Sequence, residues 1–170
     1  ALVFGCGQSF RFSQVQPGEY AGVAYGRRIH VRNLGDGLSI FPVAGREVSL
    51  WRQYFDLDVE YGKIEADFCR DAVLRVAVAY SRGLRVLRQE PFETLINFII
   101  SANNHEKRIR SIVERLSARL GEEIEKGIFA FPTAEQLASS TPEEIASCGA
   151  GYRAPYILET ARRVVDGFDL

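Results

Sequence analysis

Between Leu87 and His105 the chain states where one helix starts, which way it runs and where it stops. Pro91 suits a first helical position, where its missing N–H removes no bond, and Glu90 and Glu93 lie near the positive end of the helix dipole. Phe92, Leu95, Ile96, Phe98, Ile99 and Ile100 then cover most of the circumference, leaving Glu93, Thr94, Asn97 and Ser101 as a narrow polar strip at helical spacing. Such a helix is expected inside a bundle. Asn103 and Asn104 end it, because Asn tolerates the left-handed conformation of a helix C-terminus better than other non-glycine residues.

The asparagine pair has two readings. One is a capping turn. The other is a polar probe, two short amides on the end of a rigid helix followed at once by His105, Lys107, Arg108 and Arg110, a set suited to a polyanion. A net charge of −1 argues against holding nucleic acid by bulk charge, so any such contact must come from a local patch.

At 170 residues, 46% hydrophobic and 25% charged, the chain is globular and long enough to bury roughly 70% of its unfolded surface. It has no apolar run of 18 residues and no charged-then-apolar leader, which reads as soluble, intracellular and without a membrane partner. Cys6, Cys69 and Cys148 are far apart and the histidines are His30 and His105, so neither a metal nor a cofactor is expected and the cysteines read as reduced.

The first forty residues have strand chemistry. Gln8 to Phe12 alternates polar and aromatic residues, and Glu19 to Tyr25, Arg28 to Asn33 and Leu38 to Pro42 follow, with turn signals at Pro17-Gly18, Gly26-Arg27 and Gly35-Asp36-Gly37. An antiparallel meander of four or five strands is expected. From Val48 the period changes. Ser49 to Phe55 and Asp71 to Tyr80 read as helices, the second too apolar to be exposed all round, with Asp56 to Asp58 as a connection. Ile109, Ile112, Val113, Leu116 and Leu120 mark an amphipathic helix stopped by Gly121, with Arg108, Arg115 and Arg119 on one flank. Thr133 with Gln136 and Thr141 with Glu144 are capping boxes starting two short helices, the second ending at Cys148 to Gly151, and Tyr152 to Val165 forms the last helix. The fold class is α+β: a sheet domain with packed helices over 1–83, then an all-helical domain over 84–170.

Four blocks then carry a resemblance: Gly7-Gln8-Ser9-Phe10-Arg11-Phe12, Leu87 to Glu93, Ser101-Ala102-Asn103-Asn104 and Gly149-Ala150-Gly151-Tyr152-Arg153-Ala154. In order and spacing they resemble the 8-oxoguanine DNA glycosylase family. The resemblance implies a TBP-like antiparallel sheet, followed by the front part of a helix-hairpin-helix glycosylase domain. It implies a monomer whose partner is double-stranded DNA containing 8-oxoguanine, a base that such enzymes flip out before cleaving it. By the same resemblance Asn103, with Asn104 beside it, enters the vacated stack. Tyr152 is the wedge, and Arg108 and Arg153 grip the estranged cytosine, whose O2 and N3 only accept hydrogen bonds. Gly7 offers its carbonyl to the N7–H of the oxidised purine, where normal guanine has a lone pair.

One departure counts against chemistry in this chain. The family's Gly-x-Gly hairpin, its catalytic lysine and its later aspartate all fall beyond Leu170, and Lys63, Lys107 and Lys126 do not match the lysine. No catalytic residue is assigned, and the 170 residues alone are expected to be inactive, read as part of a longer polypeptide. A non-catalytic DNA-binding module and a decayed relative of the family are the alternatives.

Overall fold

The computed structural model describes residues 2–35 and 37–170; Ala1, and the Asp36 of the expected Gly35 to Gly37 turn, lie outside the described residues. In chain order the elements are α1 (Leu2–Gly5), β1 (Phe12–Gln16), β2 (Glu19–Ala24), β3 (Arg27–Asn33), β4 (Leu38–Phe41), α2 (Val48–Tyr54), α3 (Tyr61–Phe68) and α4 (Ala72–Ser81). They continue with α5 (Pro91–Ser101), α6 (Glu106–Leu120), β5 (Glu123–Glu125), β6 (Ile128–Phe129), α7 (Ala134–Ala138), α8 (Pro142–Ile145) and α9 (Ala154–Val165). The mixed α+β class expected from the sequence is what the chain adopts. Two compact units divide it: Ala1–Ser9 with Val43–Arg88, and Phe10–Pro42 with Gln89–Leu170.

The second unit contains the meander, four antiparallel strands in the order β1-β2-β3-β4. Its register puts Glu19 opposite Arg32 and Ala21 opposite His30. The Arg32 guanidinium, 2.7 Å from the Glu19 carboxylate, holds that acid down at about 2, with Gln16 and His30 adding their own hydrogen bonds. The first strand runs from Phe12 to Gln16, not from Gln8 to Phe12 as the alternation suggests. The Gln8 side chain is instead committed within the first unit, donating to the Arg85 carbonyl at 2.9 Å and accepting from the Leu87 N–H at 2.9 Å.

Helices α5, α6, α7 and α9 close over one core in the second unit, in which Ile96, Ile100, Ile112, Leu116, Leu137 and Ile157 are all fully buried. Helix α5 starts as its sequence dictates: Pro91 takes the first helical position and the Glu90 carboxylate accepts from the N–H groups of Phe92 and Glu93 at 3.2 and 2.6 Å. It departs from the expectation in one respect. Phe98 is 74% exposed, so α5 forms one wall of the core and does not run through its middle. Both threonine capping boxes form as read.

In the first unit Trp51, Tyr54 and Phe55 are buried, with Tyr54 and Phe55 edge-to-face at 4.9 Å. Helix α3 has no counterpart in the sequence reading, and the expectation for α4 is overturned. Asp71 caps α4, yet Val73, Val76 and Tyr80 are 77, 71 and 82% exposed. An apolar sequence states a demand for burial, and the first unit does not meet it.

Candidate nucleic-acid interface

Where α5 ends, Ala102 leaves the helix and Asn103 takes a left-handed φ of 50°. The two asparagines then part company. The Asn104 side chain donates back to the Ile100 carbonyl at 3.1 Å and its N–H to Ser101 at 3.1 Å, closing the last turn of α5. Asn103 is exposed. Capping turn and projecting amide are therefore both present, each in its own residue.

His105 starts the next helix, its Nδ1 accepting from the Arg108 N–H at 3.4 Å, so Arg108 sits in the first turn of α6 with its side chain exposed. The other basic residues near the tip divide differently. Arg110 turns inward, donating to the Phe10 and Phe12 carbonyls at 3.1 and 2.7 Å and pairing with Glu106 at 3.0 Å. Of the flank Arg108, Arg115 and Arg119, the last two are engaged by the protein: Arg115 donates to the Cys148 carbonyl at 2.8 Å, and Arg119 lies 3.6 Å from Glu144.

Between α8 and α9 the chain makes a π-turn over Ala146–Ala150 and a 3₁₀ turn over Gly151–Arg153, with Gly149 at φ 90° and Gly151 at φ 59°. Both glycines are required there, since a side chain rarely adopts such angles. This turn delivers Tyr152, 62% exposed, and Arg153, 5% exposed. The Arg153 guanidinium reaches fifty residues back along the chain. Its Nε donates to the Ala102 carbonyl at 3.0 Å, its Nη2 to the carbonyls of Ala102 and Asn103, the latter at 3.2 Å, and its Nη1 to Ala150 at 3.3 Å. Its central carbon lies 4.4 Å from the centroid of the Tyr152 ring. One buried cation thus ties the end of α5 to the start of α9, and two exposed side chains, Asn103 and Tyr152, project from the tie.

Gly7 belongs to the first unit. It is exposed at φ 81°, and a Cβ there would meet no atom within 4 Å. The neighbouring Gln8 bonds the backbone at Arg85 and Leu87 and so fixes the end of that stretch. Sequence reasoning places Gln8 in a strand-like block and Arg115 on a helix flank, but not their partners, because bonds to carbonyls and N–H groups 33 to 79 residues away leave no mark in local spacing. Among the described residues no three His, Cys, Asp or Glu converge as a metal-holding group, and no helix is long and apolar enough to cross a membrane.

Comparison with known proteins finds similarity along the whole chain. The family model for the 8-oxoguanine DNA glycosylase N-terminal domain matches residues 1–95, and that for the HhH-GPD superfamily of base excision DNA repair proteins matches residues 96–169. The N-glycosylase/DNA lyase of Saccharomyces cerevisiae is 38% identical over 67% of this chain and 32% of its own length. The N-glycosylase/DNA lyase OGG1 of Arabidopsis thaliana is 30% identical over 94% of this chain and 46% of its own. The Clostridium acetobutylicum 8-oxoguanine glycosylase/lyase, solved with double-stranded DNA containing cytosine opposite 8-oxoG, superposes with a TM-score of 0.92 at 37% identity, over 97% of this chain and 58% of that one. The chain spans less than half the length of these curated relatives.

Proposed function

The chain belongs to the 8-oxoguanine DNA glycosylase family, and from that premise we propose that it is the recognition part of a base excision repair enzyme, acting inside the cell as a monomer on duplex DNA that carries 8-oxoguanine opposite cytosine. The observation that carries the reading is the Arg153 tie, which bonds the backbone at Asn103 and lies against the ring of Tyr152. An enzyme that extrudes a base must fill the hole and keep the step open. Asn103 fills and Tyr152 wedges, as apolar wedges part base steps elsewhere. Arg108, exposed in the first turn of α6, is free to swing onto the estranged cytosine. Arg153 joins it at the cytosine's O2 and N3 edge, from the same guanidinium that ties the tip to the turn. Gly7 reads the N7–H of the oxidised base with its carbonyl. Two sequence modules, 1–83 and 84–170, carry these roles; the two family matches also divide the chain in two, after residue 95.

The glycosylase and lyase steps need a nucleophile kept neutral, which an amine in water is not. Lys63, Lys107 and Lys126 are all exposed, and Lys63 is paired with Glu60. None of the three matches the family's lysine, and no activity is assigned to the 170 residues by themselves. Two measurements test the reading. The chain is titrated onto duplexes containing 8-oxoguanine or guanine opposite cytosine, and borohydride trapping is run on the lesion duplex. Tighter binding of the lesion duplex, roughly tenfold weakened by Asn103→Ala, with no trapped adduct, is the expected result. Equal affinity for both duplexes, untouched by Asn103→Ala, would sink the recognition role, and a trapped adduct would overturn the assignment of inactivity.

A further inference from the structure

The turn that presents Tyr152 is soft by composition. Gly149 and Gly151 both sit at positive φ, and glycine loses more conformational freedom on ordering than any other residue. A projecting wedge on such a hinge needs external fixing. Arg153 supplies part of it from one side, through the Ala150 carbonyl. The other side is held from α6. There the Arg115 Nε donates to the Cys148 carbonyl at 2.8 Å, while its Nη1 donates to the Ser111 hydroxyl at 2.6 Å, one turn back on the same helix. The guanidinium lies against the α-carbon of Gly149, so closely that a Cβ at that position would run into its Nη2 and come within 3.5 Å of Ile112 Cγ1. Glycine is demanded at 149 by its φ, and a side chain there would push the Arg115 guanidinium off the turn.

We infer that Arg115 is a positioning residue, whose guanidinium, pinned by Ser111 and bonded to the Cys148 carbonyl, fixes the turn from which Tyr152 enters duplex DNA. The inference rests on the reading of Tyr152 as a wedge. Arg115 stands two helical turns, seven residues, beyond Arg108 and so on the same face of α6. One helix face then serves both sides of the opened step: Arg108 for the partner base, Arg115 for the wedge. A planar fork suits this task better than a lysine, since it donates in two directions while presenting a flat face to Gly149.

The test uses 3-fluorotyrosine-labelled protein, with the Tyr152 resonance assigned by Tyr152→Phe, and titration onto the 8-oxoguanine:cytosine duplex at several salt concentrations. Arg115→Gln is compared with Arg115→Lys and with Arg119→Gln, a neighbouring arginine engaged by Glu144 instead. In free protein Arg115→Gln is expected to broaden or split the Tyr152 signal while leaving Tyr156, one turn along α9, unchanged. Arg115→Lys restores part of the sharpness, and Arg119→Gln moves nothing. Duplex affinity falls roughly tenfold for Arg115→Gln with the slope of log K against log salt unchanged. An unaltered Tyr152 signal in Arg115→Gln overturns the inference whatever happens on DNA. A broadened signal with full affinity overturns the role in presentation, and a salt slope reduced by about one unit makes Arg115 a phosphate ligand instead. If the unaltered protein binds no duplex, the wedge reading itself fails, and the free-protein signal alone decides whether Arg115 orders the turn.

Discussion

Helices α4 and α5 are close to twins in local code and opposites in environment. Each opens with a carboxylate that accepts from two backbone N–H groups of the first turn: Asp71 from Val73 and Leu74 at 2.8 and 2.9 Å, Glu90 from Phe92 and Glu93 at 3.2 and 2.6 Å. Each is then rich in apolar side chains. Yet Ile96 and Ile100 on α5 are fully buried, whereas Val73 and Val76 on α4 face water. The cap and the composition decide that a helix forms; what covers it depends on elements far away in sequence. In α5 those elements are present, because α6 and α9 return to it.

Mutation of the buried side of α5 should therefore give the largest effect. Ile100 is fully buried, so Ile100→Ala leaves a cavity and is expected to cost about 3 kcal/mol in denaturant unfolding. A loss below about 1 kcal/mol would mean that the core around α5 collapses freely, and the contrast with α4 would lose its meaning.

Next in size is the polar strip of α5. Burial pushes the Glu93 carboxyl up to about 7, against the pull of Arg11 and with help from Glu90, while Arg11 itself is lowered by burial. A carboxyl whose folded pKa is raised gives up its proton in the unfolded chain first. Stability is then full below about pH 4.5 and is lost as pH rises from there to about 7. Glu93→Gln should flatten that decline, by about 2 kcal/mol between pH 5 and 8, less than the full shift implies because the side chain is partly exposed. Parallel pH curves for the two proteins would place the Glu93 carboxylate in water.

The two caps rank third. Asp71→Ala should cost about 1 kcal/mol, the ordinary worth of an N-cap, and Glu90→Ala somewhat less, since removing that charge also eases Glu93. Helix-resolved hydrogen exchange checks both. A negligible effect of Asp71→Ala would show that α4 depends on something other than its own first turn.

How far all this could be read in advance follows the same division. The ends of α5, both threonine boxes and the left-handed stop at Asn103 were legible because each is settled within four residues. Helix α3 was not: Gly62 weakens its pattern, and it is secured by Tyr61, whose hydroxyl donates to Asp56 and accepts from the Val86 N–H. The offset of β1 depends on Gln8 meeting residues 85 and 87. In the candidate site the projecting residues could be named from their blocks. The burial of Arg153 could not, because spacing does not reveal that a guanidinium will find carbonyls half a chain away.

The smallest expected effect is the most direct test of α4. Val76 is 71% exposed, so Val76→Lys removes no packing and places an ammonium where water already is. Its cost should stay within about 0.5 kcal/mol, the usual range for surface positions. Lysine is also the better helix former of the two, and a gain of a few tenths of a kcal/mol is in range. A loss of about 2 kcal/mol or more would have one physical source, the burial of a charge without a partner. In that case α4 is covered in solution, and the difference between the twin helices lies in which surface reaches each of them.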